Sequence, residues 1–412
     1  MKNNFLEVLR TKFIFLWFSQ ILSQISGNLI NFSIALIIFE KTSSTAAISL
    51  IWFFYAIPSL LLGPFSGVLV DLADKRKLLI ITNLIQTIIA FSYLTVKIKV
   101  WVIYSLVFLY SLVNQLYLPT EGATLPFLVN KNYLPVANTI FMFTTNFIFL
   151  VSFSLAGPFI RIFGKENIFL VTGVCLFLAT LSVYFLPKKL IGEKRKTVNP
   201  IIFFRKLKEG YSYIKNNPLI TFPLFLIGIS QIIIGVLAIV SPTFSKDILK
   251  IPLIDAGLVL ISPAGIGVLL GGILATKKLT QKVRKKVIVS FGLGFAFFSF
   301  IFLGLIVPFL GHQGKMIASA IVAFSLGMAF VFLIVPSQTF IQTIIPKKFY
   351  GRIYSVLNFL ITLASVLPIL LIGTIVDLVG IRIILILIGI LSGGLFLVSL
   401  KEPYEIFNNN KN

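Results

Sequence analysis

The chain has 412 residues, of which 58% are apolar and only 12% charged, and 36 Lys+Arg against 13 Asp+Glu give a net charge of +23. Soluble domains carry roughly 25% charged residues and less than half apolar ones, so a soluble enzyme, a disordered chain and a secreted disulfide scaffold are excluded. At about 20 apolar residues per membrane crossing plus a short loop, the length holds about a dozen crossings. In chain order, apolar runs bounded by charge or turn residues predict helices over 13–39, 45–70, 78–96, 100–118, 138–160 and 168–187. Six more follow over 218–242, 255–276, 287–309, 315–336, 353–376 and 381–400. Pro58, Pro64, Pro263 and Pro368 fall inside runs, which membrane helices tolerate because neighbours re-satisfy the freed backbone groups. The first run is too long for a cleavable signal peptide.

The positive charges alternate with the loops. With the N-terminus in the cytoplasm, 27 of the 36 Lys and Arg fall in inner segments and 9 in outer ones. The inner groups include Lys75-Arg76-Lys77, the stretch Lys188–Lys215 and the cluster Lys277–Lys286. A bias that switches loop by loop is the positive-inside rule, with both termini in the cytoplasm of a cell-membrane protein. Nucleic-acid binding offers no reason for the alternation and is rejected. The single Cys175 lies inside a crossing and excludes disulfides and cysteine metal clusters. The single His312 lies in a short outer loop, so no metal site and no cofactor are expected.

The longest polar interruption, 188–217, leaves six crossings on each side. The predicted organisation is an N-terminal six-helix bundle over 1–187, a cytoplasmic connector over 188–217 and a C-terminal bundle with a short tail over 218–412. Within the connector, Phe203, Phe204, Leu207, Tyr211 and Ile214 alternate with basic residues, the spacing of an amphipathic surface helix. The halves also repeat weakly. Gly67-Val-Leu-Val-Asp71 leads into Asp74-Lys75-Arg76-Lys77, and Gly272-Ile-Leu-Ala-Thr276 leads into a basic cluster ending Arg284-Lys285-Lys286. Matching inner loops are what a duplicated six-helix unit leaves behind. The fold class is therefore all-α, a polytopic membrane protein of twelve transmembrane helices in two pseudo-symmetric bundles.

The segment Gly67-x-Leu-x-Asp71-x-x-Asp74-Lys75-Arg76-Lys77 resembles the conserved loop between crossings two and three of major facilitator superfamily transporters. Three further segments resemble the drug-exporter branch that includes macrolide-efflux proteins and the enterobactin exporter. They are Pro119-Thr-Glu-Gly-Ala-Thr-Leu-Pro126 with Leu134-x-x-Ala137-Asn138, Leu207-Lys-Glu-Gly210-Tyr-x-Tyr-Ile, and Gln342-Thr-x-x-Pro346-x-x-x-x-Gly351-Arg352. The resemblance spans roughly residues 10–400. It implies a conformational switch at Gly67, Asp71, Asp74 and Arg76, with Pro346, Gly351 and Arg352 as the counterpart in the second half. Gly63-x-x-x-Gly67 also puts two small residues on one helical face, where another helix can approach closely.

A substrate path should be lined by polar groups that are costly against lipid. Crossing one carries Gln20, Gln24, Asn28 and Asn31 at steps of four, four and three, hence on one face. Crossing four offers Tyr110, Asn114, Gln115 and Tyr117, and the second half offers Gln231, Gln338, Asn358, Thr362 and Ser365. With many aromatics between them, these neutral groups suit bulky amphiphiles better than sugars or strongly charged metabolites. No G-x-x-x-x-G-K-[ST] loop is present, which leaves a proton or sodium gradient as the energy source. Proton coupling wants a buried carboxylate; most acids stand at membrane edges, and Glu121, at the inner end of crossing four, is the candidate. The expected function is secondary-active export of drug-like or siderophore-like amphiphiles by alternating access, by a monomer in the lipid bilayer. Transport of lysophospholipids or uptake of a nutrient is the alternative on the same fold, and a transport-inactive scaffold or receptor the alternative from another class. An intramembrane enzyme has no constellation of residues to build on.

Overall fold

The computed structural model describes residues 7–95, 99–130, 133–188, 190, 211–212, 218–280, 285–344, 366, 368 and 370–401. Every regular element among them is helical. The first half holds α1 (Phe13–Thr42), α2 (Thr45–Leu72), α3 (Lys75–Thr95), α4 (Val100–Leu128), α5 (Leu134–Phe163) and α6 (Asn167–Tyr184). The second holds α7 (Pro218–Thr243), α8 (Ser262–Thr280), α9 (Lys285–Leu305), α10 (His312–Ile344), α11 (Leu370–Val379) and α12 (Ile381–Lys401). Eleven of the described helical spans are long and apolar enough to cross a membrane, and α11 is a shorter apolar helix. Each predicted crossing thus meets a helix. Residues 353–365 of the predicted eleventh crossing, and most of the connector 188–217, lie outside the described residues.

Helix α4 departs from its predicted end at 118. It runs on through Pro119 and Pro126 to Leu128, 29 residues in all, or about 43 Å at 1.5 Å per residue. Hydroxyls beside the prolines bond back to the backbone one turn earlier: Thr120 Oγ1 donates to the Leu116 carbonyl at 2.6 Å and Thr124 Oγ1 to the Thr120 carbonyl at 2.7 Å. One face of the helix, from Ile103 through Tyr110 and Tyr117 to Leu125, is buried. His312, expected in a loop, opens α10 instead, where it is exposed.

The described chain groups into two compact units. One comprises Met1–Thr42 and Leu50–Asn199, the other Ser43–Ser49 and Pro200–Asn412. Within the first, α3 packs on α6 and α4, and α1 on α6 and α5. Within the second, α9 packs on α12 and α10, the same pairings displaced by six helices, and α8 packs on α10. An apolar cluster of Val8, Phe13, Leu16, Leu79, Tyr117, Leu125 and Ile140 lies in the first unit, and a larger one around Phe244, Phe300, Val307 and Leu385 lies in the second.

The α8–α10 contact is backbone on backbone. A Cβ added at Gly267 would be driven into the Phe324 carbonyl oxygen, and one at Gly327 into the Ala264 carbonyl oxygen. Such small-residue seams let membrane helices gain dispersion contact that side chains would prevent. At Gly63, by contrast, an added Cβ would meet nothing closer than Gln115 Oε1 at 3.9 Å.

The ends of α7 and α8 that face each other in sequence are wider than α-helical. Phe244–Leu249 and Gly257–Ile261 are π-helical, and Lys250 between them has φ of 54°. Such segments recur where helices carry a function or a hinge.

Candidate functional site

Glu121 lies on the buried face of α4, with the carboxyl-bearing residue only 3% exposed. Tyr117, one turn earlier, donates its hydroxyl to Glu121 Oε1 at 2.8 Å. The same hydroxyl oxygen is 2.7 Å from Ser23 Oγ on α1, and Ser23 also donates to the Gln20 carbonyl at 3.2 Å. This hydroxyl chain links the carboxyl group on α4 to α1 through Tyr117, which packs in one apolar cluster with Leu16, Leu125 and Leu128. A carboxylate removed from water is expensive unless it is paired or neutralised. The sequence reading set Glu121 at a membrane edge; the continuation of α4 past Pro119 buries it.

A second polar chain crosses the same unit. Asn114 on α4 donates through Nδ2 to the Tyr55 hydroxyl on α2 at 3.0 Å, and its Oδ1 accepts from Gln86 Nε2 on α3 at 3.5 Å. Asn83, one turn before Gln86, donates to Ser19 on α1 at 3.3 Å. The buried acceptors Gln20 Oε1, Asn83 Oδ1 and Gln86 Oε1 have no hydrogen-bond partner among the described residues. Tyr110 is 6% exposed and lies over α1, its hydroxyl 3.0 Å from where a Cβ at Gly27 would stand. Ser23, Tyr55, Asn83 and Gln86 were missed in the sequence. The amides Asn83 and Gln86, three residues apart inside an apolar run, were the signal available.

The crossing-one stripe divides. Gln20 is buried and donates to the Phe141 carbonyl at 3.2 Å and to Thr145 Oγ1 at 3.0 Å, joining α1 to α5. Gln24 donates to the same Thr145 hydroxyl at 3.1 Å. Asn28 and Asn31 are half-buried further along α1, as are Asn114 and Gln115 on α4. Gln231 on α7 and Gln338 on α10 are exposed. Asn358, Thr362 and Ser365 lie outside the described residues, as do Pro346, Gly351 and Arg352.

At the α2–α3 turn, Gly67 and Asp71 fall in the last turns of α2. Asp74 caps α3, its Oδ1 accepting from the backbone N–H of Arg76 at 3.0 Å and of Lys77 at 3.4 Å. Arg76 reaches the far end of α6, donating to the Tyr184 carbonyl at 2.6 Å with its guanidinium 4.9 Å from the Tyr184 ring centre. Lys75 is buried, donates to the Val70 carbonyl at 3.4 Å and lies 5.3 Å from the Phe127 ring centre. These contacts fasten α3 to α2, α4 and α6 within one unit. Replacing Asp74 by Ala removes the cap and is expected to lower stability by about 1 kcal/mol, read as a reduced melting temperature in detergent; an unchanged melting point would show that the cap contributes nothing.

Eleven described helical spans long and apolar enough to cross a membrane, with buried polar chains joining helices inside the first unit, are the architecture of a multi-pass membrane protein. The sequence profile of the Major Facilitator Superfamily matches residues 16–368, and the chain belongs to that superfamily. Among similar proteins, the uncharacterized MFS-type transporter YfiS of Bacillus subtilis is 26% identical over 86% of this chain and 84% of its own. Macrolide efflux protein A of Streptococcus pyogenes is 24% identical over 90% of this chain and 91% of its own. Among solved structures, the nucleoside transporter NupG superposes with a TM-score of 0.73 at 12% identity, covering 95% of this chain and all (100%) of its own. A bacterial homolog of the human lysosomal transporter Spinster, in an inward-facing and unoccupied conformation, gives 0.72 at 13% identity, covering 99% of this chain and 98% of its own. These two likenesses concern the fold.

Proposed function

We propose that the chain is a secondary-active exporter of amphiphilic small molecules, driven by protons through Glu121 and working by alternating access. The observation that carries the coupling is the fully enclosed Glu121 carboxyl group, held by Tyr117 and linked through its hydroxyl to Ser23 on α1. A group so placed exchanges a proton at much lower free-energy cost than it carries a charge, and a proton carrier must do that between two exposures. The efflux likeness to macrolide efflux protein A over nine-tenths of the chain supports export and a bulky, largely apolar cargo. The half-buried amides Asn28, Asn31, Asn114 and Gln115, set among aromatic side chains, supply neutral hydrogen-bonding groups for it.

In this reading the protein is a monomer in the cell membrane with both termini in the cytoplasm, an orientation that the 27-to-9 charge distribution supports. The bundles over 1–187 and 218–412 rock about the path, joined by the connector 188–217. Gly67, Asp71 and the stretch Pro346–Arg352 act at the inner ends as the switch. The protein makes no covalent change in its cargo.

The test is flux in proteoliposomes with an imposed pH gradient, using a panel of macrolides and other amphiphiles. Outward movement against the cargo's own gradient, abolished when the pH gradient is collapsed, is expected. Movement indifferent to the gradient would remove proton coupling; movement only inward would favour uptake of a nutrient.

A further inference from the structure

Helix α3 hides polar groups on its packed side. Ile81, Leu84, Ile85 and Ile88 are exposed along one side of the helix. Asn83, Gln86 and Tyr93 recur at steps of three and seven, hence on one face, and all three are buried. Each holds a buried polar atom without a hydrogen-bond partner among the described residues: Asn83 Oδ1, Gln86 Oε1 and the Tyr93 hydroxyl. Buried polar groups in folded proteins are met by protein or by ordered water. Residues three apart on a helix have Cβ atoms about 5–6 Å from each other. The two amide oxygens are both acceptors, and a water molecule, with two protons to donate, meets both.

The partners these residues do have extend the line in both directions. From Asn83, Nδ2 donates to Ser19 Oγ at 3.3 Å, and Ser19 faces the Tyr117 hydroxyl that donates to Glu121. From Gln86, the line passes to Asn114 and on to the Tyr55 hydroxyl. The Tyr55 and Tyr110 hydroxyls lie within electrostatic reach of each other, as do those of Tyr110 and Tyr93. Tyr93 stands two residues from the end of α3 at Thr95, about 15 Å along the helix axis from Asn83. Polar groups thus run from the far end of α3 to Glu121 inside the first unit.

We propose that this face of α3 is a hydrated seam that delivers protons to Glu121 from the outer end of the first unit, with Asn83, Gln86 and Tyr93 as the residues that position its water. The inference rests on the coupling role given to Glu121 above, and on the orientation with the N-terminus inside, in which Tyr93 stands at the outer end of α3. Tyr117 gives its hydroxyl proton to Glu121 Oε1 as its own oxygen takes one from Ser23. Ser23 is replenished from the water of the seam. The carboxylate therefore gains one proton and every hydroxyl ends neutral. The amides hold and orient water and do not themselves ionise.

The test follows hydrogen–deuterium exchange of the Glu121 carboxyl group after transfer of the purified protein, in lipid nanodiscs, to heavy water. It is read from the infrared carbonyl band that Glu121→Gln removes. Gln86→Met, which keeps the length of the side chain, should slow exchange by about tenfold, the equivalent of one lost hydrogen bond. Tyr93→Phe should slow it by less. Native exchange rates in both variants would overturn the seam. So would the lack of any such band in the native protein, since Glu121 would then hold no proton to exchange. A raised melting temperature in Tyr93→Phe would overturn it as well, because deleting an unmet hydroxyl stabilises only a dry interior. The readout needs neither cargo nor gradient. A Glu121→Gln protein that still concentrates cargo would therefore count against the coupling reading and leave the seam to be judged by exchange.

Discussion

Proteoliposomes carrying Glu121→Gln are expected to lose gradient-driven accumulation while retaining exchange of cargo down its own gradient. The glutamine oxygen can still accept from Tyr117 at the position where the carboxylate does, so the α1–α4 contact survives and only the exchangeable proton is lost. One pH unit is worth about 1.4 kcal/mol per proton, or tenfold in cargo concentration. For one proton per cargo, a gradient of one unit should sustain an accumulation ratio of about ten in the native protein and about one in the variant. A variant that still concentrates cargo as the native protein does would sink the coupling role of Glu121. Tyr117→Phe provides the complementary measurement. It leaves the carboxyl group without its hydroxyl partner, and is expected to slow coupled flux without abolishing it.

Gly327→Val is expected to be the most destabilising single change in the second unit. Its side chain would enter the Ala264 carbonyl on α8, and the obstacle is backbone rather than a side chain that can turn aside. Overpacking typically costs about 1–3 kcal/mol, and a backbone obstacle places this site at the upper end. At the size of one unit, about 3 kcal/mol corresponds to a melting temperature lower by about 6–12 °C. Gly272→Ala on the same α8 is the control, because a Cβ there meets nothing within 4 Å. Equal melting temperatures for the two variants would show that α8 and α10 can separate without loss.

The twelve helices were legible because a bilayer imposes one period, one length and one polarity on every crossing. The ends of the helices were less so. Pro119 reads as a stop in any propensity argument, yet α4 continues for nine residues beyond it to Leu128, since a membrane helix packed among neighbours tolerates what a solvated helix could not. That continuation keeps Glu121 on a packed helix, so it is buried within the protein although it stands near the inner end of the crossing. Small-residue pairs behaved similarly. Gly63-x-x-x-Gly67 and Gly267-x-x-x-Gly271 have the same spacing, but spacing only permits close approach, and the described tight contact is made by the second. The polar partners were the least legible of all. Nothing in the sequence neighbourhood of Asp377 names Ser44, 333 residues away in the chain, whose hydroxyl donates to its carboxylate.

The length of α4 also has an electrical meaning. Glu121 stands 21 residues beyond the start of α4 at Val100, about 31 Å along the helix axis, which is close to the full hydrocarbon thickness of a bilayer. In the orientation with the N-terminus inside, a proton that reaches it from the outer face has crossed nearly the whole membrane field. One that leaves it to the cytoplasm crosses almost none. Under the proposed coupling through Glu121, loading is favoured by about 2.3 kcal/mol per 100 mV of inside-negative potential, and unloading is nearly indifferent to it. The proposed coupling then responds to membrane potential as well as to the pH gradient, and the potential acts on the half of the cycle that faces outward.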